Sequence, residues 1–434
     1  MEAGVDDPKR LFAVDVVRRL RRAGFVAYWA GGCVRDRLLG RTAKDYDVAT
    51  DATPRQIREV FGQRRTIALG AAFGVITVLG PPDAGQIEVA TFRQDADTSD
   101  GRRPDHVTFS SPEEDASRRD FTINGLFYDP VEDRVLDFVG GRRDLDARTI
   151  RAIGDPRARF REDKLRLIRA VRFAAALGFD IEPSTFAAIG EMAAEVTVVS
   201  AERIAAELQR MLTDRNRARA VRLLAEVGLL GAVLPECRQD QSQRRSEPTE
   251  HSGPAEHSGD ARWETTLAVL ERLVEPDFPP AMAALLHRYA DARTAEAACR
   301  RLRLSNLHVE RTVWLIAQLA VVADARAKRW SELQPTLVHP GAGELLALAE
   351  ARAAVGLSAS DDVRHCRAML DRPPELVDPP PLVDGNDLIA LGVARGPEFR
   401  TLLQSVRDAQ LDGAVGTREE ALRWIGRLRA PSSS

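Results

Sequence analysis

Two acidic residues spaced to share a cation are the first chemistry in this chain. Asp45 and Asp47 flank Tyr46 in a stretch, Asp45–Ala49, whose alternation predicts a strand. Alternate residues of a strand point to one face, so the two carboxylates would stand side by side. Parallel carboxylates are costly unless a cation sits between them, and Mg2+, a hard ion that prefers oxygen ligands, fits. Thirteen residues before Asp45 lies the end of a Gly31-Gly32 pair, in the run Gly31-Gly32-Cys33-Val34-Arg35-Asp36. A strand ending in paired glycines at a helix start lets backbone N–H groups approach a phosphate, with the helix dipole behind them. Arg35, one turn into that helix, would reach the same phosphates.

A second constellation is Asp163 with Arg166. Read on one helix, residues three apart are neighbours on a face. Cytosine and adenine share one Watson–Crick pattern, an exocyclic amine beside a ring-nitrogen acceptor. A carboxylate takes the amine and a guanidinium gives to the ring nitrogen. Uracil and guanine reverse both groups, and buried unpaired partners reject the wrong base by ~10⁴ or more. Such a pair suits a polymerase restricted to CTP and ATP that needs no template. A plain i,i+3 surface ion pair is the alternative reading. Arg169 and Arg172 continue at three-residue steps, a drifting row that would follow a triphosphate or would instead pair with Glu162 and backbone carbonyls. Glu88, on a predicted strand Ile87–Phe92, reads as a third carboxylate acting on a primer hydroxyl, or as a solvated strand residue.

These residues sit in blocks that carry a resemblance. Gly31 through Asp47, Glu88-Val-Ala-Thr-Phe-Arg93, Arg118-Arg119-Asp120-Phe-Thr-Ile-Asn124, Asp137-Phe-Val-Gly-Gly-Arg-Arg-Asp144 and Glu162-Asp163-Lys-Leu-Arg166-Leu-Ile-Arg169-Ala-Val-Arg172 follow one another in order. The series resembles class II CCA-adding tRNA nucleotidyltransferases and bacterial poly(A) polymerases over roughly residues 25–235. The resemblance implies an α+β fold: a polymerase-β-like nucleotidyltransferase head, then an all-α neck, body and tail with tRNA along the helices. It implies Asp45, Asp47 and Glu88 as catalytic residues, with Asp45 and Asp47 holding Mg2+. It implies nucleotide binding by Gly31, Gly32, Arg35, Arg119, Asp163, Arg166, Arg169 and Arg172, with Asp120 and Asn124 shaping a sugar pocket. The polar stretch 93–104 resembles the loop that switches such enzymes from C to A addition, and its length argues against a CC-only enzyme.

The elements around these blocks follow from periodicity. Residues 8–24 read as an amphipathic helix, with Leu11, Val14, Val17 and Leu20 in steps of three. Strands are predicted at Phe25–Ala30, Thr66–Leu69, Val75–Leu79 and Val135–Phe138. After Pro156 helical spacing dominates. The domains read as head 1–152, neck 153–235 with the base-reading helix, body 236–375 and tail 376–434. Within the body, 238–259 is a polar loop that contains Glu-His-Ser-Gly twice and is expected to be disordered. In the tail, Asp387–Gly392 followed by Gly396-Pro397 reads as a helix, a glycine stop and a new helix start, either a phosphate-facing turn or a simple hairpin.

Composition sets the class. The 434 residues carry 44% hydrophobic and 29% charged side chains, which excludes wholesale disorder. Cys33, Cys237, Cys299 and Cys366 are scattered without metal spacing, so no disulfides and a cytoplasmic setting are expected. The start, Met1-Glu-Ala-Gly-Val-Asp-Asp7, lacks the pattern of a secretory signal. The most apolar stretch, Val313–Ala323, is too short to span a bilayer. Net charge is only −3, but Gly141–Asp180 holds eleven Lys/Arg against six Asp/Glu. Arginine supplies all but four of the 62 basic residues, a bias that suits RNA or reflects a GC-rich genome.

The expected function is CCA addition to tRNA from CTP and ATP, with no membrane partner. Poly(A) polymerase, CC-only or A-only enzymes are the near alternatives, and a non-catalytic RNA-binding protein the distant one. Poly(A) enzymes tend to carry an arginine-rich strand where this chain has Leu69-Gly-Ala-Ala-Phe-Gly-Val-Ile-Thr77. Relatives with a phosphohydrolase body carry a His-Asp pair; here Arg288 follows His287, and a cation beside the ligand repels metal. The sequence sets no oligomeric state.

Overall fold

The computed structural model describes residues 7–68, 74–95, 107–237 and 258–429. The expectations for Met1–Asp6, for most of the polar stretches 93–104 and 238–259, and for Leu69–Phe73 fall outside them. The chain divides into two compact units, Met1–Met211 with Arg219–Pro235, and Leu212–Ala218 with Glu236–Ser434.

The first unit opens with α1 (Pro8–Arg22), β1 (Ala27–Ala30), α2 (Gly32–Leu38), β2 (Asp47–Thr50) and α3 (Pro54–Phe61). There follow β3 (Thr66–Ile67), β4 (Val75–Leu79), β5 (Gln86–Thr91), β6 (Arg93–Asp95), β7 (Val107–Phe109) and α4 (Pro112–Ser117). β8 (Leu126–Asp129), β9 (Arg134–Asp137), α5 (Gly141–Asp146) and β10 (Thr149–Ile150) complete the α+β part. Seven strands form one sheet in the order β3-β4-β5-β2-β1-β8-β9. Within it β2 and β5 run parallel, while the other neighbours are antiparallel. Helices α3 and α4 start at the same device: Thr53 and Ser111 accept the N–H of Gln56 and Glu114, whose side chains reach back to the caps.

Period-two alternation decides which strand residues do chemistry. Val48 and Val89 join Val14, Val17, Leu20, Ile57 and Trp29 in the core under α1 and α3. Their neighbours Asp47 and Glu88 therefore emerge on the opposite face. β2 begins at Asp47, not at Asp45 as its alternation suggested. β8 was not legible as a strand because all four residues are buried, so no alternation marks it.

The unit continues with α6 (Pro156–Glu162), α7 (Leu165–Leu177), β11 (Asp180–Ile181), α8 (Pro183–Met192), α9 (Ala201–Leu212), α10 (Arg217–Glu226) and α11 (Leu229–Val233). Phe173 of α7 meets Phe121 edge-on at 5.8 Å, locking α7 to the segment that precedes β8.

In the second unit the described elements are all helical: α12 (Ser258–Arg272), α13 (Phe278–Leu286), α14 (Ala292–Arg301), α15 (Asn306–Ala323), α16 (Trp330–Leu337), α17 (Ala342–Ala353) and α18 (Ser360–Leu370). A four-residue helix, α19 (Pro374–Val377), comes next, followed by α20 (Gly385–Ala390), α21 (Pro397–Leu411) and α22 (Arg418–Arg429). The last three share a small core of Val383, Leu388, Leu402, Val406 and Ile425. Gly392 has φ 71°, the left-handed stop expected there, and Gly396 precedes Pro397 at the start of α21. Among the described residues no helix is long and apolar enough to cross a membrane, and all four cysteines are buried free thiols.

Candidate active site

A cavity of about 660 Å³ in the first unit is lined by Gly31, Gly32, Arg35, Asp45, Asp47, Arg118, Arg119, Asp120, Asn124, Asp163, Leu165, Arg166, Arg169, Arg172, Phe173, Arg203 and Arg210. All the residues expected to bind nucleotide lie on this wall, and so do both expected metal ligands. Glu88 is not among the lining side chains. Eight arginines face four aspartates, so the site is built for an anion, with acids for a cation at one place.

Gly31 shapes the turn between β1 and α2. Its φ of 73° with ψ −125° is open only to glycine, and a Cβ there would lie 2.9 Å from Arg119 Nη1. Arg35 is fixed by Asp36 and by Asn124 Oδ1, the latter at 2.8 Å. Arg119 is held by Asp115 Oδ2, with its Nη2 at 2.9 Å. Asp115 is buried and also takes Arg118, so one carboxylate aims both arginines.

At the acid end, the parallel register of β2 and β5 sets Glu88 beside Asp47. Asp45 stands just before β2, exposed to solvent, with Lys9 Nζ 2.6 Å from its Oδ1. Asp47 is pushed up to about 6 by the protein crowding around it, then by the charges of Glu88 and Asp45; Arg119 and Lys9 pull the other way. The Asp47 side chain nonetheless reaches solvent, so water screens part of this effect. Asp47 thus stands between two further acids, although among the described residues no three His, Cys, Asp or Glu side chains are grouped closely enough to hold a metal ion.

Asp163 and Arg166 line the same cavity but not as neighbours on one helix. Asp163 lies in the break between α6 and α7, with φ −148° and ψ 104°. Its Oδ1 accepts the Leu165 N–H at 3.0 Å, a local bond that competes with continued helix. Its Oδ2 accepts Arg203 Nη2 at 2.8 Å. Arg166 pairs instead with Glu162 at 2.7 Å, and donates to the carbonyls of Arg159 and Arg118 at 3.0 and 3.1 Å. These bonds use both Nη1 hydrogens and one on Nη2. Of the five donors of a guanidinium, Nε–H and one Nη2–H have no partner among the described residues.

Arg169 and Arg172 are also held by acids, though not by Glu162. Arg169 donates to Asp120 Oδ2 from Nη2 at 2.6 Å, and Arg172 bonds Glu207 through Nε. Burial works against ionisation of Asp120, yet the Arg169 charge and bonds from Asn124 and the Phe121 N–H hold its carboxyl below the usual range. Asp120 thus positions an arginine. The guanidiniums of Arg35, Arg169 and Arg172 sit 5.3, 5.2 and 4.0 Å from the centre of the Phe173 ring, which spaces them. Sequence reasoning missed Phe173, Asp115, Arg118 and the face of α9 that carries Arg203, Glu207 and Arg210. That face was detectable, since charges at steps of four and three on an amphipathic helix form one row.

In the second unit His287 ends α13. Its Nδ1 bonds the Ala284 carbonyl at 2.8 Å, and its buried Nε2 has no partner. Burial, then the charges of Arg352 and Arg288, push it down to about 3.

Comparison with known proteins places this geometry. Residues 27–151 match the Poly A polymerase head domain, and residues 178–240 match the probable RNA and SrmB-binding site of polymerase A. The CCA-adding enzyme of Geobacillus stearothermophilus is 33% identical over 417 residues, 95% of this chain and 96% of that one. That of Bacillus subtilis strain 168 is 43% identical over 218 residues, covering 50% of this chain and 54% of its own. Among solved structures, the Bacillus stearothermophilus CCA-adding enzyme in complex with CTP superposes with a TM-score of 0.73 at 28% identity, over 97% of this chain and 98% of that one. The Thermotoga maritima CCA-adding enzyme complexed with tRNA shares the fold, with a TM-score of 0.65 at 20% identity over 98% and 97% of the chains.

Proposed function

This chain belongs to the family of CCA-adding enzymes, and from that premise we propose how its own residues perform the reaction. It is a nucleotidyltransferase that builds the CCA end of tRNA from CTP and ATP without a template. The tRNA 3′-hydroxyl attacks the α-phosphate, and pyrophosphate leaves. The observation that carries this reading is the convergence of Asp45, Asp47, Asp163 and Arg166 on one arginine-lined cavity.

The acid end fits Mg2+, which binds through one or two carboxylates together with water and substrate phosphates, and both Asp45 and Asp47 line the cavity. Asp45 and Asp47 would hold the metal, which when bound activates the hydroxyl and stabilises the leaving oxygens. Glu88, beside Asp47, accepts the hydroxyl proton or orients that hydroxyl. Gly31 and Gly32 let the backbone approach the triphosphate, while Arg35, Arg119, Arg169 and Arg172 balance its charge. Each arginine arrives aimed by an acid, so little reorganisation accompanies reaction. Asp163 retains lone pairs for the exocyclic amine of C or A, and a remaining N–H of Arg166 serves the ring nitrogen. Head 1–152 and neck 153–235 provide this site; body 236–375 and tail 376–434 carry the tRNA. Buried free thiols and a tRNA substrate support a cytoplasmic enzyme.

The test uses tRNA ending in the discriminator base, in C or in CC, incubated with single nucleotides and Mg2+. Sizing the products should show C, C and A added in turn. A long adenylate tail, or arrest after CC, would replace this reading with poly(A) or CC-only activity. Asp45→Ala should abolish addition, and Asp163→Ala should admit UTP or GTP before turnover is lost.

A further inference from the structure

The Asp45 carboxylate already has a cation. Lys9, at the second position of α1, donates to Asp45 Oδ1 at 2.6 Å and to the Lys44 carbonyl at 2.9 Å. The two bonds hold one ammonium over an acid that water would otherwise solvate, since the Asp45 side chain is 79% exposed and that of Lys9 only 29%. The lysine is fixed from behind. Asp7 accepts its backbone N–H at 3.1 Å, and Ala13, Val16, Val17 and Leu20 anchor α1 on the sheet. Its charge also acts on Asp47.

The residue type matters as well. Lysine is rare here, at four of 62 basic residues, while arginines hold Asp115, Asp120, Asp163 and Glu207 around the cavity. An arginine would clamp Asp45 through a two-pronged fork, whereas a lysine is a compact, strongly hydrated point charge on a flexible stem and is readily released.

We propose that Lys9 is an internal counter-ion of the acid cluster, holding Asp45 in place until a divalent cation displaces it from the same carboxylate. The proposal rests on the reading of Asp45 and Asp47 as the metal pair. Lys9 then sets metal affinity by competition, although it is not among the side chains that line the cavity.

The test is binding of Mn2+ alone to the full chain, without nucleotide, read from the free-ion paramagnetic resonance signal. Lys9→Met keeps the stem and removes the charge, and should tighten Mn2+ binding about three- to tenfold. Lys9→Arg should stay at or below wild-type affinity. In an Asp45→Asn background the gain from Lys9→Met should vanish. If Asp45→Asn leaves Mn2+ affinity unchanged, the metal-pair reading itself falls. If Asp45→Asn weakens binding while Lys9→Met is neutral or weakens it too, the metal pair stands and the counter-ion role is overturned.

Discussion

Replacing Asp47 with asparagine should make the metal-free protein more stable while abolishing its activity. Asp47 is lifted from an ordinary 3.8 to about 6 by crowding and by the charges of Glu88 and Asp45. Between those values the folded protein holds a proton that the unfolded chain has released. Stability from this group therefore falls as pH rises through that window, and the full cost of ionisation is present above about 6. At 1.36 kcal/mol per unit, complete enclosure would make the cost about 3 kcal/mol. Solvent reaches the side chain, and screening reduces the figure to about 1 kcal/mol. For a unit of this size that corresponds to about 2–4 °C in melting temperature. The assay is thermal unfolding in EDTA at pH 7.5 and pH 4.5, comparing wild type with Asp47→Asn. The variant should melt higher at pH 7.5 and keep only about a third of that advantage at pH 4.5. Saturating Mg2+ should raise the wild type and leave the variant where it was. A variant no more stable than wild type at pH 7.5, or an advantage that persists unchanged at pH 4.5, would refute the charge-crowding argument.

Other consequences follow from the partners of the arginines. Glu207 is buried and takes Arg172 and Arg210, so Glu207→Gln should cost about 2 kcal/mol in denaturant unfolding and raise KM for both nucleotides. Arg203→Ala releases one oxygen of Asp163, and kcat/KM for CTP on tRNA lacking CCA should fall about tenfold while UTP incorporation rises. A fall in rate with unaltered base choice would leave Arg203 a merely structural role. His287 is pushed down to about 3, below its value in the unfolded chain, so the wild type loses stability as pH drops below 6.5. His287→Gln should remove that loss, about 1 kcal/mol per pH unit near pH 5, with CCA addition unchanged.

Where meaning is carried within a few residues, the chain announced it. The Gly31 turn, the spacing of Asp45 and Asp47, the alternation of Val48 and Val89, and the stop at Gly392 all rest on backbone geometry. That geometry fixes distances between near neighbours whatever surrounds them. The pairing of charges obeyed no such rule. Asp163 and Arg166, three apart, do not bond each other, because one residue in extended conformation broke the helix that would have joined them. Asp163 found Arg203, 40 residues away, and Asp45 found Lys9, 36 residues away. Glu88 meets Asp47 only through the register of two parallel strands. A Coulomb interaction depends on separation in space and on local screening, and packing decides both. The types of group available for catalysis were therefore written in linear order, whereas their partners, and with them their proton affinities, came into being when the sheet and α7 and α9 closed around one cavity.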